Sequence, residues 1–124
     1  MIKLTVSIDV SDLKKAEAFY IEALGCKKVR DQGESMVVLS VENSDIYLQE
    51  KLAGSKPVPS NNMVRDYDRH WTPVHLDFIC ENVDELVAKI VELGGRYEGG
   101  DSGGWGSIAY CADPFGNGFC VINE

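Results

Sequence analysis

The chain has 124 residues, of which 44% are hydrophobic and 26% are charged, a balance typical of one globular domain with a usable core. Its formal net charge of −8 opposes binding to nucleic acid and would favour a cationic guest over an anionic one. No apolar run could span a bilayer and no signal-peptide pattern opens the chain, so we expect a cytoplasmic protein with no membrane partner. The cysteines, at 26, 80, 111 and 120, lack paired spacing, which predicts reduced and mostly buried thiols.

The first half of the chain predicts a strand, a helix and three more strands. Residues 2–10 alternate between apolar and polar, which indicates a strand. A helix follows, capped by Ser11 or Asp12 and ended by Gly25, because apolar residues recur there at helical spacing. Turn signals at Gln32-Gly33 and at 43–45 separate the remaining segments. These segments predict strands near 27–31, 35–41 and 45–50.

Residues 51–73 break this pattern with prolines, glycines and asparagines. A connection this long in a compact domain is usually functional or links two units. We therefore predict a single domain, 1–124, made of a first module over 1–50, a linker over 51–73 and a second module over 74–124.

The second half repeats the order of the first. Residues 74–80 predict a strand, and Asn82 caps a helix with Glu85 at the capping-box position. The remaining predicted segments are a weak strand over 96–99, a mobile glycine-rich flap over 99–104, and closing strands over 106–112 and 117–123. Thr5 and His75 each stand seven residues before the helix cap of their half, which favours an internal duplication.

Short motifs accompany this duplication in a fixed order. They are Val10-Ser11-Asp12-Leu13, Phe19-Tyr20, Leu24-Gly25, His75-Leu76-Asp77-Phe78, Trp105-Gly106 and Asp113-Pro114-Phe115-Gly116-Asn117. Together they resemble the vicinal oxygen chelate superfamily of glyoxalases, bleomycin-resistance proteins, dioxygenases and fosfomycin-resistance enzymes. The resemblance implies an α+β fold of two βαβββ modules whose curled mixed sheets surround a central cavity. It also implies a homodimer in which modules of different chains can share each cavity.

Strand periodicity separates residues that pack under the helices from residues that face the cavity. The residues expected under the helices are Leu4, Val6, Ile8, Leu76 and Phe78. The opposite faces, with two loop tryptophans beside them, give the predicted ligand-binding residues: Thr5, Ser7, Asp9, Tyr47, Gln49, Trp71, His75, Asp77, Trp105 and Cys120. Further residues expected on these faces are Ile79, Ile122, Ser107, Ala109 and Cys111.

The resemblance implies that metal ligands, where present, occupy Thr5, Tyr47, His75 and Cys120. Only His75 is a usual ligand of the family, and Cys120 stands where the family normally has glutamate. Zinc catalysis generally needs three protein ligands, so we expect no cofactor. A divalent metal, if bound, would use His75 and Cys120, with Asp77 completing a rearranged site. The alternatives are a hydrogen bond between His75 and Asp77, and a buried apolar role for Cys120.

Three functions remain open. The first is a metal-independent protein, resembling bleomycin-resistance and glyoxalase-like proteins, that binds a small cationic or aromatic ligand. Trp71 and Trp105 would then clamp the ligand, or else each would cover the core of its own module. The alternative is a lyase, isomerase or dioxygenase with an altered metal site around His75. The third is a cavity that holds an unidentified metabolite or is partly filled by side chains, and the fold alone does not choose among them.

Overall fold

The computed structural model describes residues 1–42 and 44–124. Module 1 consists, in chain order, of β1 (Val6–Val10), α1 (Leu13–Glu22), β2 (Lys27–Asp31), β3 (Met36–Val41) and β4 (Ser44–Glu50). Module 2 consists of β5 (Leu76–Ile79), α2 (Val83–Glu92), β6 (Arg96–Gly103), β7 (Gly106–Ala112) and β8 (Gly118–Asn123). The predicted α+β fold of two βαβββ modules is confirmed. Neither helix of the described ranges is long and apolar enough to cross a membrane.

Each module forms one four-stranded mixed sheet, in the order β1-β4-β3-β2 or β5-β8-β7-β6. The first strand of each module lies parallel to the last, and the other pairs are antiparallel. This topology places Ser7 beside Tyr47 in module 1 and Asp77 beside Cys120 in module 2. Across residues 1–42 and 44–124, no strand of one sheet pairs with a strand of the other, so the sheets leave two open faces instead of closing around one cavity.

Side-chain caps fix the start of each helix. The Asp12 carboxylate accepts from the Lys15 amide at 3.1 Å, and the Asn82 side chain accepts from the Glu85 amide at 3.0 Å. Both contacts satisfy an amide that has no partner within its helix. They decide the choice between Ser11 and Asp12 in favour of Asp12.

One apolar core extends through both modules and covers one face of each sheet. Phe19 of α1 packs edge-to-face against Phe119 of β8, with ring centroids 6.4 Å apart. Phe78 of β5 contacts the same Phe119 ring at 5.5 Å. Such edge-to-face contacts favour aromatic rings beyond their burial alone. The helix-covered faces therefore hold the two modules together.

A buried carboxylate also joins the modules. Asp113, 1% exposed, accepts from the Tyr20 hydroxyl at 2.8 Å and from the Asn117 side-chain amide at 2.9 Å. It also accepts from the Phe115 and Asn117 backbone amides. The Asn117 side-chain amide also donates to the Asp9 carbonyl at 3.2 Å. Burial raises the pKa values of Asp113 and Tyr20, because each would carry its charge away from water.

The first strand of each module is shorter than its apolar pattern predicts. The predicted strand over 2–10 begins only at Val6, and Leu4 is 85% exposed instead of packed under a helix. The predicted strand over 74–80 is reduced to Leu76–Ile79. The apolar–polar alternation of side chains continues past the ends of each strand. A residue can follow this pattern without a neighbouring strand to pair with, and a strand ends where that pairing ends. In the predicted turn at 43–45, Asn43 lies outside the described residues and the other two residues open β4.

The predicted flap over 99–104 is wrong for most of its length. β6 continues to Gly103 and pairs with β7, in a ladder interrupted by one bulge. Glycine allows this close pairing, because a Cβ on Gly100 would lie 2.6 Å from the Ile108 carbonyl oxygen. The glycines at the end of β6 therefore belong to the paired strand and do not form a flap.

The prediction that Ser107, Ala109 and Cys111 join the open face is also wrong. Ala109 pairs with Val121, and Cys111 pairs with Phe119, on the side that packs into the core. Ser107 shares their side of β7 because it lies two residues before Ala109. Cys26, Cys111 and Cys120 are buried free thiols, as predicted, and Cys80 is half-buried.

Candidate functional site

The open face of module 1 carries a row of four paired residues, one on each strand, of which three are polar and the fourth is the buried Val38. Ser7 on β1 lies beside Tyr47 on β4, which lies beside Val38 on β3 and then Arg30 on β2. The Arg30 guanidinium donates from Nη2 to the Tyr47 hydroxyl at 3.3 Å and to Gln32 Oε1 at 3.0 Å. The row thus presents two hydroxyl groups and a cation.

The next row, Asp9 and Gln49, is partly covered by the linker. Asp9 Oδ2 accepts from Arg65 Nε at 2.7 Å, and the Arg65 side chain is only 15% exposed. Arg65 also donates to the Ser55 hydroxyl and the Lys56 carbonyl, which fixes the linker over β1. Asp9, predicted to contact a ligand, is therefore engaged by a residue of its own chain.

The open face of module 2 brings three predicted residues together. His75 Nε2 lies 3.2 Å from Asp77 Oδ1, and Cys120 is the residue paired with Asp77 on the neighbouring strand. One ligand atom from each of the three lies within 4.8 Å of the others. Burial first, and then the Asp77 charge, raise the pKa of Cys120, which favours the protonated thiol. Tyr110 continues this row on β7.

The end of the linker lies on the same face. The Trp71 indole N–H donates to Glu98 Oε1 at 3.1 Å, and the Arg69 guanidinium binds both oxygens of Glu98. The Arg69 guanidinium carbon lies 4.5 Å from the Trp71 ring centroid, and the ring meets His75 edge-on at 5.5 Å. Gly118 permits this packing, because a Cβ there would lie 2.8 Å from Trp71. The cation over Trp71 is therefore supplied by the protein.

The electrostatics of Glu98 follow from these contacts. Hydrogen bonds from Arg69 stabilise the carboxylate and have the largest effect, so they lower the pKa of Glu98 against the opposing effect of burial, and the Trp71 hydrogen bond adds a smaller lowering. An ionised Glu98 keeps Arg69 and Trp71 in place at neutral pH.

A cleft of about 560 Å³ lies between β1, the linker and the start of β5. It is lined by Ser7 and Asp9 of module 1, His75 of module 2, and Arg65 and His70 of the linker. Of the predicted ligand-binding residues, only Ser7, Asp9 and His75 line this cleft in the described part of the chain. The remaining predicted residues lie outside it: Thr5, Tyr47, Gln49, Trp71, Asp77, Trp105 and Cys120.

Two of the predicted ligand-binding residues, Thr5 and Trp105, lie apart from the rows described above. Thr5 is exposed and precedes β1. Trp105 is 53% exposed at the β6–β7 hairpin, where its indole packs on Gly103. Neither has a contact with another predicted site residue among the hydrogen bonds and aromatic contacts of the described ranges.

Sequence reasoning missed four charged residues that organise the site. They are Arg30, Arg65, Arg69 and Glu98. The only available signal was the position of two of the arginines in the linker, close to Trp71. Their partners are 17, 56 and 29 residues away along the chain, so sequence spacing does not reveal them.

The two positions of module 1 that the resemblance assigns to a metal, Thr5 and Tyr47, do not fit one. Thr5 lies ahead of its strand, and the Tyr47 hydroxyl accepts from a cationic guanidinium. A metal ion beside Arg30 would meet like charge and two poor ligands. The cluster of His75, Asp77 and Cys120 is different, because its three donor atoms are close enough to surround one ion.

Comparisons with known proteins agree with this architecture. A family model described as a glyoxalase-like domain matches residues 5–122. No curated protein sequence matches the chain. The fosfomycin resistance protein FosX from Listeria monocytogenes has a similar structure, with a TM-score of 0.75 at 19% identity, covering 100% of this chain and 95% of that one.

Two other solved structures share the fold. Lactoylglutathione lyase from Agrobacterium tumefaciens gives a TM-score of 0.67 at 20% identity, covering 99% of this chain and 93% of that one. A glyoxalase/bleomycin resistance protein from Albidiferax ferrireducens gives 0.69 at 20% identity, covering 98% of both chains. A variant of FosX was crystallised with Mn(II) and 1S,2S-dihydroxypropylphosphonic acid. The chain belongs to the glyoxalase-like domain family, within the vicinal oxygen chelate superfamily.

Proposed function

We propose that the protein binds a small organic molecule on the open faces of its two sheets and does so without a metal ion. The observation that carries this proposal is the hydrogen bond between Arg30 and Tyr47. This contact sets a cation beside Tyr47, a position that the superfamily resemblance assigns to a metal ligand. Binding would then rest on hydrogen bonds and on contact with aromatic rings.

The module 2 face supports the same proposal. Trp71, Arg69 and Glu98 hold one another in a fixed arrangement beside His75. Side chains that are fixed in this way lose little conformational freedom when a ligand arrives, so less binding energy is spent on ordering them. Tyr110, 39% exposed on this face, adds an aromatic surface with a hydroxyl group.

We also propose that the protein is a homodimer that covers part of these faces. Leu4, Val74 and Ile79 are apolar and more than half exposed around β1 and β5. Apolar side chains grouped near the edges of open sheets are typical of surfaces that a partner covers. Sedimentation equilibrium tests this proposal, and a monomer at micromolar concentration would contradict it.

Intrinsic fluorescence tests ligand binding, because the chain has only two tryptophans. Trp105→Phe leaves Trp71 as the reporter beside His75, and Trp71→Phe leaves Trp105 as the matched control. A panel of small aromatic anions, amides and cations should include compounds that change the emission of the Trp105→Phe variant. The same compounds should leave the Trp71→Phe variant unchanged. The proposal fails if the whole panel alters neither fluorescence nor melting temperature.

The second candidate function is metal-dependent catalysis at the module 2 face. The observation in its favour is the cluster of donor atoms from His75, Asp77 and Cys120, all within 4.8 Å of one another. A bound divalent ion would supply a Lewis acid that polarises a substrate oxygen. Cys120 would have to lose its proton to bind the ion, and Asp77 would exchange its contact with His75 for the metal.

Metal analysis separates the two candidates. Protein purified without chelator should contain less than stoichiometric metal if binding is metal-independent. A stoichiometric ion that is lost in both His75→Ala and Cys120→Ser, but retained in the Cys80→Ser control, would favour the second candidate.

A further inference from the structure

The open face of module 1 carries an excess of positive charge in a chain whose formal net charge is −8. The two carboxylates that its strands present are already engaged. Asp9 is paired with Arg65 at 2.7 Å, and Asp45 with Lys3 at 3.5 Å. These pairs leave the face with no local surplus of negative charge.

Two cations of β2 remain on this face without a carboxylate partner. Lys27 pairs with Ser40, and Arg30 pairs with Val38, so both share the open face. In the described part of the chain, no ion pair joins either of them to an acidic side chain. The open face of module 1 therefore attracts anions even though the whole chain is acidic.

A bulge in β2 directs Arg30 toward this face. The register shifts between Lys28 and Arg30, so residues two apart point to opposite sides of the sheet. Lys28 consequently lies on the helix side, where its Nζ contacts Glu17 and Asp31, each at 2.9 Å. Asp31, the nearest carboxylate in sequence, is thus kept away from Arg30.

The Arg30 guanidinium is oriented without being neutralised. Its Nε and Nη2 donate to Gln32 Oε1 at 3.2 and 3.0 Å, and Nη2 also donates to the Tyr47 hydroxyl at 3.3 Å. Both acceptors are uncharged, and these contacts leave the Nη1 donors unused. A guanidinium fixed in this way suits two-pronged binding of a carboxylate or phosphate group.

We infer that Arg30, with the Tyr47 hydroxyl and Lys27 beside it, binds the anionic end of the ligand. The ligand class is a small organic molecule that carries a carboxylate, phosphate or phosphonate. This inference rests on the proposed function, since it concerns a ligand bound to the same open faces. It also reverses the preference for a cationic guest that the net charge alone suggests.

A titration followed by amide and arginine Nε–H chemical shifts tests the inference, because it detects weak binding and locates it. Four probes share one ring and differ in the attached group: benzoate, phenylphosphonate, neutral benzamide and cationic benzamidine. We expect benzoate or phenylphosphonate to shift the signals of Arg30 and Tyr47 and to bind more tightly than benzamide. The stronger of the two anions identifies the class of acid.

The variant Arg30→Gln keeps a polar side chain and removes the charge. It should weaken anion binding by about tenfold or more, the loss expected for one charge-assisted contact. Lys28→Gln is the matched control, because it removes the same charge from the other face of β2. It should leave anion affinity unchanged.

The outcomes separate this inference from the proposed function. The inference is overturned if benzamide or benzamidine binds the open faces at least as well as both anions, or if Arg30→Gln leaves anion affinity unchanged. In either case the binding function stands. If none of the four probes shifts a signal on either open face, both are overturned.

Discussion

At the scale of single residues, the structure depends on a few charged groups whose partners lie far away in the sequence. Asp113 joins module 2 to Tyr20 of α1, and Glu98 holds Arg69 and Trp71 on an open face. The first contact is buried and structural, whereas the second borders the candidate site. The two carboxylates consequently differ in how their pKa values move, upward for Asp113 and downward for Glu98.

Removing the Tyr20 hydroxyl tests the buried contact. Tyr20→Phe leaves Asp113 with one donor fewer in a site that excludes water, and should lower the free energy of unfolding by about 1–3 kcal/mol. Chemical denaturation measures this change. Tyr110→Phe is the matched control, because the Tyr110 side chain is 39% exposed, and should change stability by less than about 0.5 kcal/mol. Equal effects of the two variants would contradict a structural role for the Asp113 contact.

Glu98 predicts a dependence on pH whose sign follows from its lowered pKa. Its contribution to stability is fully present above the pKa of the unfolded chain and is lost as the pH falls through the lower pKa of the folded state. Glu98→Gln should therefore cost about 1 kcal/mol or less at neutral pH, since the contact is partly exposed. The difference from the parent should shrink on acidification.

Chemical denaturation at several pH values measures that difference for Glu98→Gln. Glu92→Gln, an exposed carboxylate at the end of α2, is the control and should show no such trend. A destabilisation by Glu98→Gln that grows as the pH falls would contradict the assigned contact.

At the scale of elements, much of the fold follows from local sequence, because caps and apolar periodicity act over a few residues. Asp12 and Asn82 begin the helices where their side chains can satisfy free amides. Prediction from local sequence fails where pairing between strands decides which residues form a strand and which face each side chain occupies. The bulge that directs Arg30 to the open face depends on β3, and no pattern within β2 indicates it.

Gly100 tests the strand that replaces the predicted flap. Gly100→Ala would place a Cβ 2.6 Å from the Ile108 carbonyl oxygen, so β6 and β7 would have to separate locally. We expect a loss of about 1–3 kcal/mol in unfolding free energy, as in other overpacked sites.

Gly104→Ala is the matched control, because a Cβ at Gly104 has no neighbour within 4 Å among the described residues. Thermal and chemical denaturation of both variants give the comparison. Two neutral substitutions would indicate a mobile flap and would contradict the paired strand.

At the scale of the whole molecule, the sequence predicts where the chemistry lies better than what the chemistry is. The order of elements places His75, Asp77 and Cys120 on one sheet face, and they do meet there. The net charge of −8 does not predict the cationic face of module 1, because net charge averages over surfaces that the fold keeps apart. The contacts of the linker arginines are equally hidden from the sequence, since only the folded chain brings Arg65 and Arg69 to their partners.

The central claim is that ligand binding on the open faces needs no metal ion. The most direct measurement is the dissociation constant of the tightest-binding probe, determined with chelator-treated protein and again after addition of Mn(II) or Zn(II). We predict the same dissociation constant, within about twofold, in all three conditions, because Arg30 rather than an ion would hold the anionic group. Binding that disappears with chelator and returns with either metal would contradict the claim.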